Sequence, residues 1–368
     1  TLGESPNKAK KQFKGNLDET FDTINKAINK EQSTFNYHGV DLRNILFKYI
    51  RTSLSDELVR LCGQNYSIGR IIKRRKPIGF FSPHAVGYGY ALGEIAHLNK
   101  IPGMLISHGS HVHQNVVTAR TEWDEHARTL INTHYPFVAA QSPMAKSFLE
   151  QQETIYSKIV KTGPLIFTQK LNFAINEKQL RKRIFGDFTN KMIVLHGGTP
   201  KTRESIRLWV YETIDEYINN INDLIKTVEK IPDIHLAIRF RPSESLKTKD
   251  FKLLLKKSSC YRIYSDGSFD SYLLSSDLLV SYSSTTIEES LQNRVPVLLY
   301  SPDDRYCHVP ATSIVRDRPV VLSPVYYANN LSNLQWGMRW LKNHLPQLSK
   351  KELDWGQYVY PEISSKGW

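Results

Sequence analysis

From Pro77 onward, short apolar runs alternate with stretches whose apolar positions recur at helical spacing. The run Ile78-Gly79-Phe80-Phe81, a helical stretch from Gly87 to Leu98 and the run from Gly103 to Ser107 make one strand-helix-strand unit, the building block of parallel sheets. A helix over Arg120 to Ile131, a strand at Phe137 to Ala140, a helix over Pro143 to Gln151 and a strand at Ile159 to Thr162 continue the rhythm. It starts afresh with a strand at Met192 to Leu195, followed by a long helix from Arg203 to Ile231, a strand at His235 to Phe240, a helix over Lys247 to Lys257 and a strand at Tyr261 to Tyr264. The series closes with a strand at Leu278 to Ser281, a helix from Thr285 to Gln292 and a strand at Val295 to Tyr300.

The pattern predicts an α/β protein with two Rossmann-like domains, a cleft between them and a helical N-terminal lead-in. The lead-in, residues 1–76, is polar with Phe21, Ile24 and Ile28 at helical spacing, and it belongs with an N-terminal Rossmann-like domain over 77–170. The charged stretch 171–190 reads as the interdomain connection. A C-terminal Rossmann-like domain occupies 191–325, and an amphipathic tail over 326–368, with Leu334, Met338, Trp340 and Leu341 along Leu331 to His344, packs back on the domains. A length of 368 residues is ample for two cores.

Charge and cysteine content narrow the function classes. A formal charge of +13 favours anionic partners, but the runs Lys8 to Lys11 and Lys73 to Lys76 are short, and no zinc-finger, RNP or basic-zipper spacing accompanies them. Nucleic acid is therefore not expected as a partner. Cys62, Cys260 and Cys307 lie far apart, which predicts neither a disulfide framework nor a zinc site. With no apolar run long enough to span a bilayer and no leader pattern, a cytoplasmic protein is expected, with peripheral contact at the inner face of the membrane through Lys73 to Lys76 and Trp336 or Trp340 as an option.

Ligands of parallel sheets bind beyond the carboxyl ends of the strands, so the polar residues there are the candidates. His196-Gly197-Gly198-Thr199 offers backbone amides that a phosphate can approach, or a plain tight turn. Arg239 and Arg241 can hold a diphosphate, or make a surface ion pair. Tyr264 and Asp266 offer a ring for a nucleobase, or an Asp-Gly turn. Ser281-Tyr282-Ser283-Ser284-Thr285-Thr286 leads into a helix whose first amides suit a phosphate, with Glu289 placed for ribose hydroxyls. Read structurally, Ser284 and Glu288 there make an ordinary capping box.

The segment from Ser276 to Leu291, followed by Val295 to Tyr300, resembles the donor-binding segment of GT-B glycosyltransferases. It is most similar to bacterial enzymes of capsule, lipopolysaccharide or teichoic acid assembly, including CDP-glycerol glycerophosphotransferases. The resemblance implies that Ser283, Ser284, Thr285 and Thr286 hold the donor phosphate and Glu289 the ribose. His108-Gly109 resembles the His-Gly motif on the acceptor side of those enzymes, while Arg241-Pro242 stands where many relatives have His-Pro. The expected activity is transfer of a sugar or sugar-like group from a nucleotide-activated donor, with a slight preference for cytidine, to a hydroxyl of an anionic glycan or lipid-linked acceptor. His108 is the candidate base, since an imidazole titrates near neutral pH, with Asp124 and Glu125 in reserve. His84, Gly109, Ser110 and His111 line the acceptor side. Neither a metal nor another cofactor is expected, because the spacing of His111 and His113 is not diagnostic of a metal site.

A UDP-sugar epimerase of the same architecture is the alternative. It binds a nucleotide sugar similarly, but such enzymes resemble a Ser-Gly-Gly helix start where this chain has Ser-Ser-Thr-Thr. A non-catalytic nucleotide-binding module is the second alternative.

Overall fold

The computed structural model describes residues 6–31, 34–107, 109, 111–132, 134–152, 156–167, 176–198, 200, 207, 209–241, 246–348 and 352–361. The chain divides into two compact units, one of residues 1–107, 129–138 and 154–158, the other of 108–128, 139–153 and 159–368.

In the first unit, helix α1 (Pro6–Lys30) packs against α2 (Arg43–Arg75), and the hairpin of β1 (Asn36–Tyr37) and β2 (Val40–Asp41) joins them. Leu17, Phe21 and Ile28 are buried, which realises the helical spacing of the lead-in. Helix α2 stops at Lys76, whose left-handed backbone lets its N–H reach the Ile72 carbonyl.

The chain then forms β3 (Phe80–Ser82), α3 (Tyr88–Leu98), β4 (Gly103–Leu105), α4 (Val117–Ile131), β5 (Phe137–Ala140), α5 (Pro143–Glu150) and β6 (Lys158–Lys161). The four strands lie in the order β3-β4-β5-β6, and the division between units passes through α4, β5 and β6. Strand β3 begins at Phe80 rather than Ile78, which is almost fully exposed. Gly89 opens α3 because a Cβ there would stand 2.1 Å from the His84 carbonyl oxygen.

In the second unit the stretch expected as a connection contains α6 (Glu177–Phe185) and a single 3₁₀ turn, with Leu180 and Phe185 buried. Arg181 fastens this helix to the sheet that follows. Its Nη1 and Nη2 meet the two carboxylate oxygens of Asp277 at 3.0 and 2.9 Å and also reach the carbonyls of Ser275 and Lys191. Asp277 in turn accepts the Ile193 amide at 2.7 Å.

The remaining elements are β7 (Met192–Gly198), α7 (Ile214–Val228), β8 (Ile234–Phe240), α8 (Thr248–Leu254), β9 (Tyr261–Tyr264), α9 (Phe269–Leu274), β10 (Leu278–Ser281), α10 (Thr286–Gln292), β11 (Val297–Tyr300), β12 (Thr312–Ser313), β13 (Val325–Ala328) and α11 (Leu331–His344). Helix α7 starts at Ile214, eleven residues after the expected start at Arg203, because Thr213 and Glu216 form a capping box there.

The seven strands are all parallel, in the order β12-β13-β11-β10-β7-β8-β9. Alternate residues feed two cores, since side chains in a strand have period two. Val194, Leu236 and Leu298 meet α7 and α11 through Ile221, Leu224, Leu334 and Met338, and Ile193, Leu195, Leu279 and Leu299 meet α6, α9 and α10 through Phe185, Leu273, Ile287 and Leu291. Each such buried aliphatic side chain is worth roughly 1.5–3 kcal/mol. The two cores fix where the carboxyl ends of the strands emerge.

Candidate functional site

Besides the doubling back of β12 and β13 at one edge, the strand order reverses direction inside the sheet, at β7. From β7 the chain proceeds outward through β8 and β9, then returns to add β10, β11 and the remaining strands on the other side. The crevice at the carboxyl ends of β7 and β10 is thus the topological switch point, where open parallel sheets bind ligands.

Strand β7 runs on through Gly197 and Gly198, which pair with Arg239 and Phe240. The expected turn after Leu195 is therefore strand. Gly197 is closely packed, for a Cβ there would lie 3.1 Å from the Phe269 ring and 3.2 Å from Leu279, which would have to shift to admit it. Its carbonyl ties the two sides of the crevice together, accepting from the Ser281 hydroxyl at 2.6 Å and the Thr286 hydroxyl at 3.2 Å. Ser283, Ser284, Thr285 and Thr286 stay partly exposed along the rim. Thr285 occupies the N-cap without a side-chain cap bond, and Ser284 Oγ accepts the Thr286 amide at 3.3 Å. With seven residues, α10 carries little of the dipole that the sequence reading invoked for a phosphate. A Cβ on Gly109 would stand 3.8 Å from Thr285 Cγ2, so two sequence candidates far apart in the chain meet here.

The capping box of Ser284 with Glu288 does not form. Glu288 turns inward, 2% exposed, and meets His308 Nε2 at 3.1 Å, while His308 Nδ1 lies 2.9 Å from the Tyr306 hydroxyl. The consistent donor order is Tyr306 O–H to Nδ1 and Nε2–H to the carboxylate. Glu289, half-buried, is the carboxylate left nearer the rim.

Beside this chain, Arg305 grips both Glu216 oxygens at 2.7 and 2.8 Å and donates to Tyr282 Oη at 3.3 Å and the Tyr211 carbonyl. Arg305 holds the Glu216 carboxyl below its ordinary range, and burial pushes the Tyr282 hydroxyl up to about 12. Burial also pulls the His196 imidazole, at the end of β7, down to about 4.

Helix α4 adds a wall within the same unit. Trp123 and Ala119 pack with Val210, Tyr282 and Tyr306, and Glu122 accepts the Trp209 amide at 2.8 Å. His126 Nδ1 meets Arg207 Nη2 at 2.8 Å. Asp124 is half-buried, and its Oδ1 has no hydrogen-bond partner among the described residues. Glu125 is exposed and paired with Arg128, which places it away from this cluster. His111 is buried, its ring 5.8 Å from those of Trp123 and Phe148. His84 belongs to the first unit. His108, Ser110 and Thr199 lie outside the described residues.

At the end of β8 and β9 the picture is different. Arg239 spends its guanidinium on the Tyr264 and Gly267 carbonyls, at 3.0 and 2.5 Å, with the Tyr272 ring 4.8 Å away. Tyr264 Oη bonds His235 Nε2 at 3.0 Å, and the ring packs edge-on against Phe185. The ring expected to stack on a base is thus part of the packing, and burial pushes its hydroxyl up to about 12. Asp266 and Gly267 form the exposed Asp-Gly turn, and Arg241 is exposed just past β8. The diphosphate clamp of Arg239 with Arg241 is therefore not assembled: the first arginine holds the turn and the second faces outward.

Sequence reasoning named Glu288 only in the first turn of the helix, and it missed Tyr306, His308 and Arg305. The signal was available, because Asp304-Arg305-Tyr306-Cys307-His308 follows a strand as polar residues should at a site. Trp336, offered for membrane contact, donates to the Arg318 carbonyl, and Trp340 stacks on His344 at 4.0 Å. Among the described residues, no helix is long and apolar enough to cross a membrane, and no three His, Cys, Asp or Glu side chains are grouped to hold a metal ion.

No protein-family model and no curated protein matches the sequence. In fold, the chain is similar to the UDP-GlcNAc 2-epimerase from Neisseria meningitidis bound to UDP-GlcNAc, with 18% identity and a TM-score of 0.56 over 82% of this chain and 78% of that one. It is also similar to the Methanocaldococcus jannaschii UDP-GlcNAc 2-epimerase in complex with UDP-GlcNAc and UDP, with 17% identity and a TM-score of 0.54 over 84% of this chain and 79% of that one. The likeness and the two parallel sheets show the expected fold class, Rossmann-like α/β halves with a helical start.

These neighbours correct the expected activity. They are UDP-sugar epimerases, so they favour the alternative over sugar transfer from a cytidine donor, and the glycan or lipid-linked acceptor loses its role with that activity.

Proposed function

We propose that this protein is an enzyme that binds a UDP-sugar at the β7/β10 crevice and epimerises the sugar. The observation that carries the reading is the crevice itself, where Ser283, Ser284 and Thr285 rim the switch point of the sheet and Gly109 approaches them. The names of the solved structures of similar fold support the choice of UDP-sugar and of epimerisation.

Ser283 and Ser284 bind the nucleotide phosphate and Glu289 the ribose. Epimerisation withdraws a proton from the sugar carbon, releases the nucleotide phosphate, and returns both with the proton on the opposite face. The reaction needs a carboxylate or imidazole next to the sugar and donors to the departing phosphate. Asp124, with an unpartnered buried oxygen, is the proton acceptor of this reading.

The test is calorimetric titration with UDP, CDP, CMP, GDP and ADP, followed by proton NMR of UDP-GlcNAc in deuterated water. The expected result is saturable binding of UDP, appearance of the C2 epimer and deuterium at C2, with both signals of turnover lost in Asp124→Asn. Binding without epimer or exchange would instead make the chain a nucleotide-binding module, and no nucleotide binding would end the reading.

A further inference from the structure

A second concave site lies in the same unit, and Tyr306, which packs near Tyr282, is part of its lining. Its cavity, about 440 Å³, is formed by the segment before α4, the loop after β11, and β12 and β13. That volume sits within the roughly 300–1,000 Å³ of small-molecule sites. All its lining residues belong to the second unit.

The floor is aromatic and aliphatic. Tyr306, Tyr327 and Val309 are buried there. The rim is polar, with Asp304, Asn115 and Ser313 exposed around it.

The walls are held in place by their own hydrogen bonds. Asp304 Oδ1 accepts from the Tyr327 hydroxyl at 2.8 Å, Gln114 Oε1 accepts the Cys307 amide at 3.3 Å, and the Tyr358 hydroxyl donates to the Pro310 carbonyl at 2.8 Å. Cys307 donates its thiol to the Val309 carbonyl at 3.0 Å, which makes it part of the wall rather than a nucleophile.

The lining also selects by charge. The lining holds neither lysine nor arginine, His113 being its one basic side chain, so a phosphate or carboxylate would meet no permanent counter-charge. The one carboxylate, Asp304, already accepts a hydroxyl proton, and the lining also includes Asn115 and Ser313, side chains of types that bond neutral hydroxyls. A floor of buried Tyr306, Tyr327 and Val309 under a rim of amide, hydroxyl and carboxylate groups complements a pyranose ring, whose C–H face is apolar and whose edge carries hydroxyls.

From this arrangement we infer that the cavity between Asp304, Ser313 and Tyr327 is a binding site for a neutral sugar ring, separate from the nucleotide crevice. The inference does not depend on the chain being an epimerase.

Saturation-transfer NMR tests it, with methyl glycosides of glucose and N-acetylglucosamine as probes, on the full chain with and without saturating UDP. Ring-proton signals should appear without UDP and persist with it. Binding should weaken roughly tenfold or more in Asp304→Asn, which loses a charged acceptor for a sugar hydroxyl while keeping an acceptor for Tyr327. Ser313→Tyr, on an exposed strand position that tolerates an aromatic residue, should abolish binding by blocking the mouth.

Absence of any sugar signal from the folded wild type would overturn the inference, as would signals that survive both variants. Displacement of the sugar by UDP would assign it to the crevice instead, and competition by methylammonium would make the site one for cations. If UDP fails to bind, the proposed function fails while the sugar result still stands.

Discussion

Two ends of one parallel sheet bear similar residue types and put them to opposite uses. At the carboxyl ends of β8 and β9, an arginine and a tyrosine are tied into the fold: Arg239 holds backbone carbonyls, and Tyr264 reaches back to His235 near the start of β8. At the carboxyl ends of β7 and β10, hydroxyl residues rim a crevice and the charged groups stand around it in defined pairs, Glu288 with His308 and Arg305 with Glu216. The first end is closed because its strands follow each other in sequence, each covered by the next connection. The second is open because the chain leaves β7 in one direction and returns to β10 from the other. Residue type alone does not mark a site; the reversal of strand order does.

The largest effect expected comes from two buried histidines, His196 near the carboxyl end of β7 and His235, near the start of β8 and bonded to Tyr264. Burial holds His196 and His235 at about 4 in the folded chain, against an ordinary value of 6.5. Between those values the unfolded chain binds more protons. Stability is therefore full above about pH 6.5 and falls as pH drops towards about 4, by at most roughly 3 kcal/mol per histidine. Denaturant titrations across that window check it: His235→Phe should flatten the slope, and an unchanged slope would remove the histidines from the account. UDP should perturb the His196 ring signals by NMR and leave those of His235 unmoved, which separates the crevice from the closed end.

Next in size is Arg239→Ala. The loss of two charge-assisted hydrogen bonds to backbone carbonyls and a cation–π contact should cost about 2–3 kcal/mol in unfolding free energy. Nucleotide affinity measured by calorimetry should stay the same. A loss of affinity with stability intact would reverse the roles assigned to the two ends.

The converse variant is Ser283→Ala with Ser284→Ala. Both side chains are partly exposed, so stability should change by less than about 0.5 kcal/mol, while UDP binding weakens roughly tenfold. Equal binding by variant and wild type would move the phosphate elsewhere.

How much of this was legible follows from the range of each signal. The strands show because their apolar runs are continuous, and α11 lies where its period places it, over Leu331–His344. Helix α6 was hidden because Leu180, Ile184 and Phe185 sit among Lys178, Arg181, Lys182 and Arg183, so composition read as a linker while the helix face did not. The end of β7 was misread for a different reason: Gly197-Gly198 is turn chemistry locally, and the close packing of Phe269, from a later helix, shows only in the structure. Glu288 with His308, and Arg305 with Glu216, join residues 20 and 89 positions apart. No local pattern encodes such pairs; they arise when neighbouring strand ends are brought side by side.

Arg241→Ala carries the smallest expected effect and the finest distinction. Arg241 lies one residue past β8, exposed, two positions from Arg239, whose Nη atoms hold the carbonyls of Tyr264 and Gly267. An exposed guanidinium contributes little to folding, so unfolding free energy should change by less than about 0.5 kcal/mol. Towards an anionic ligand it acts through water, and its contribution should be a few-fold in UDP affinity at low salt, fading when the Debye length shrinks to about 3 Å near 1 M salt. Calorimetry at low and high salt reads both quantities on one protein. A salt-independent loss of affinity would mean that Arg241 touches the phosphate directly, and the boundary between the closed end and the crevice would then run between Arg239 and Arg241 rather than between β7 and β8.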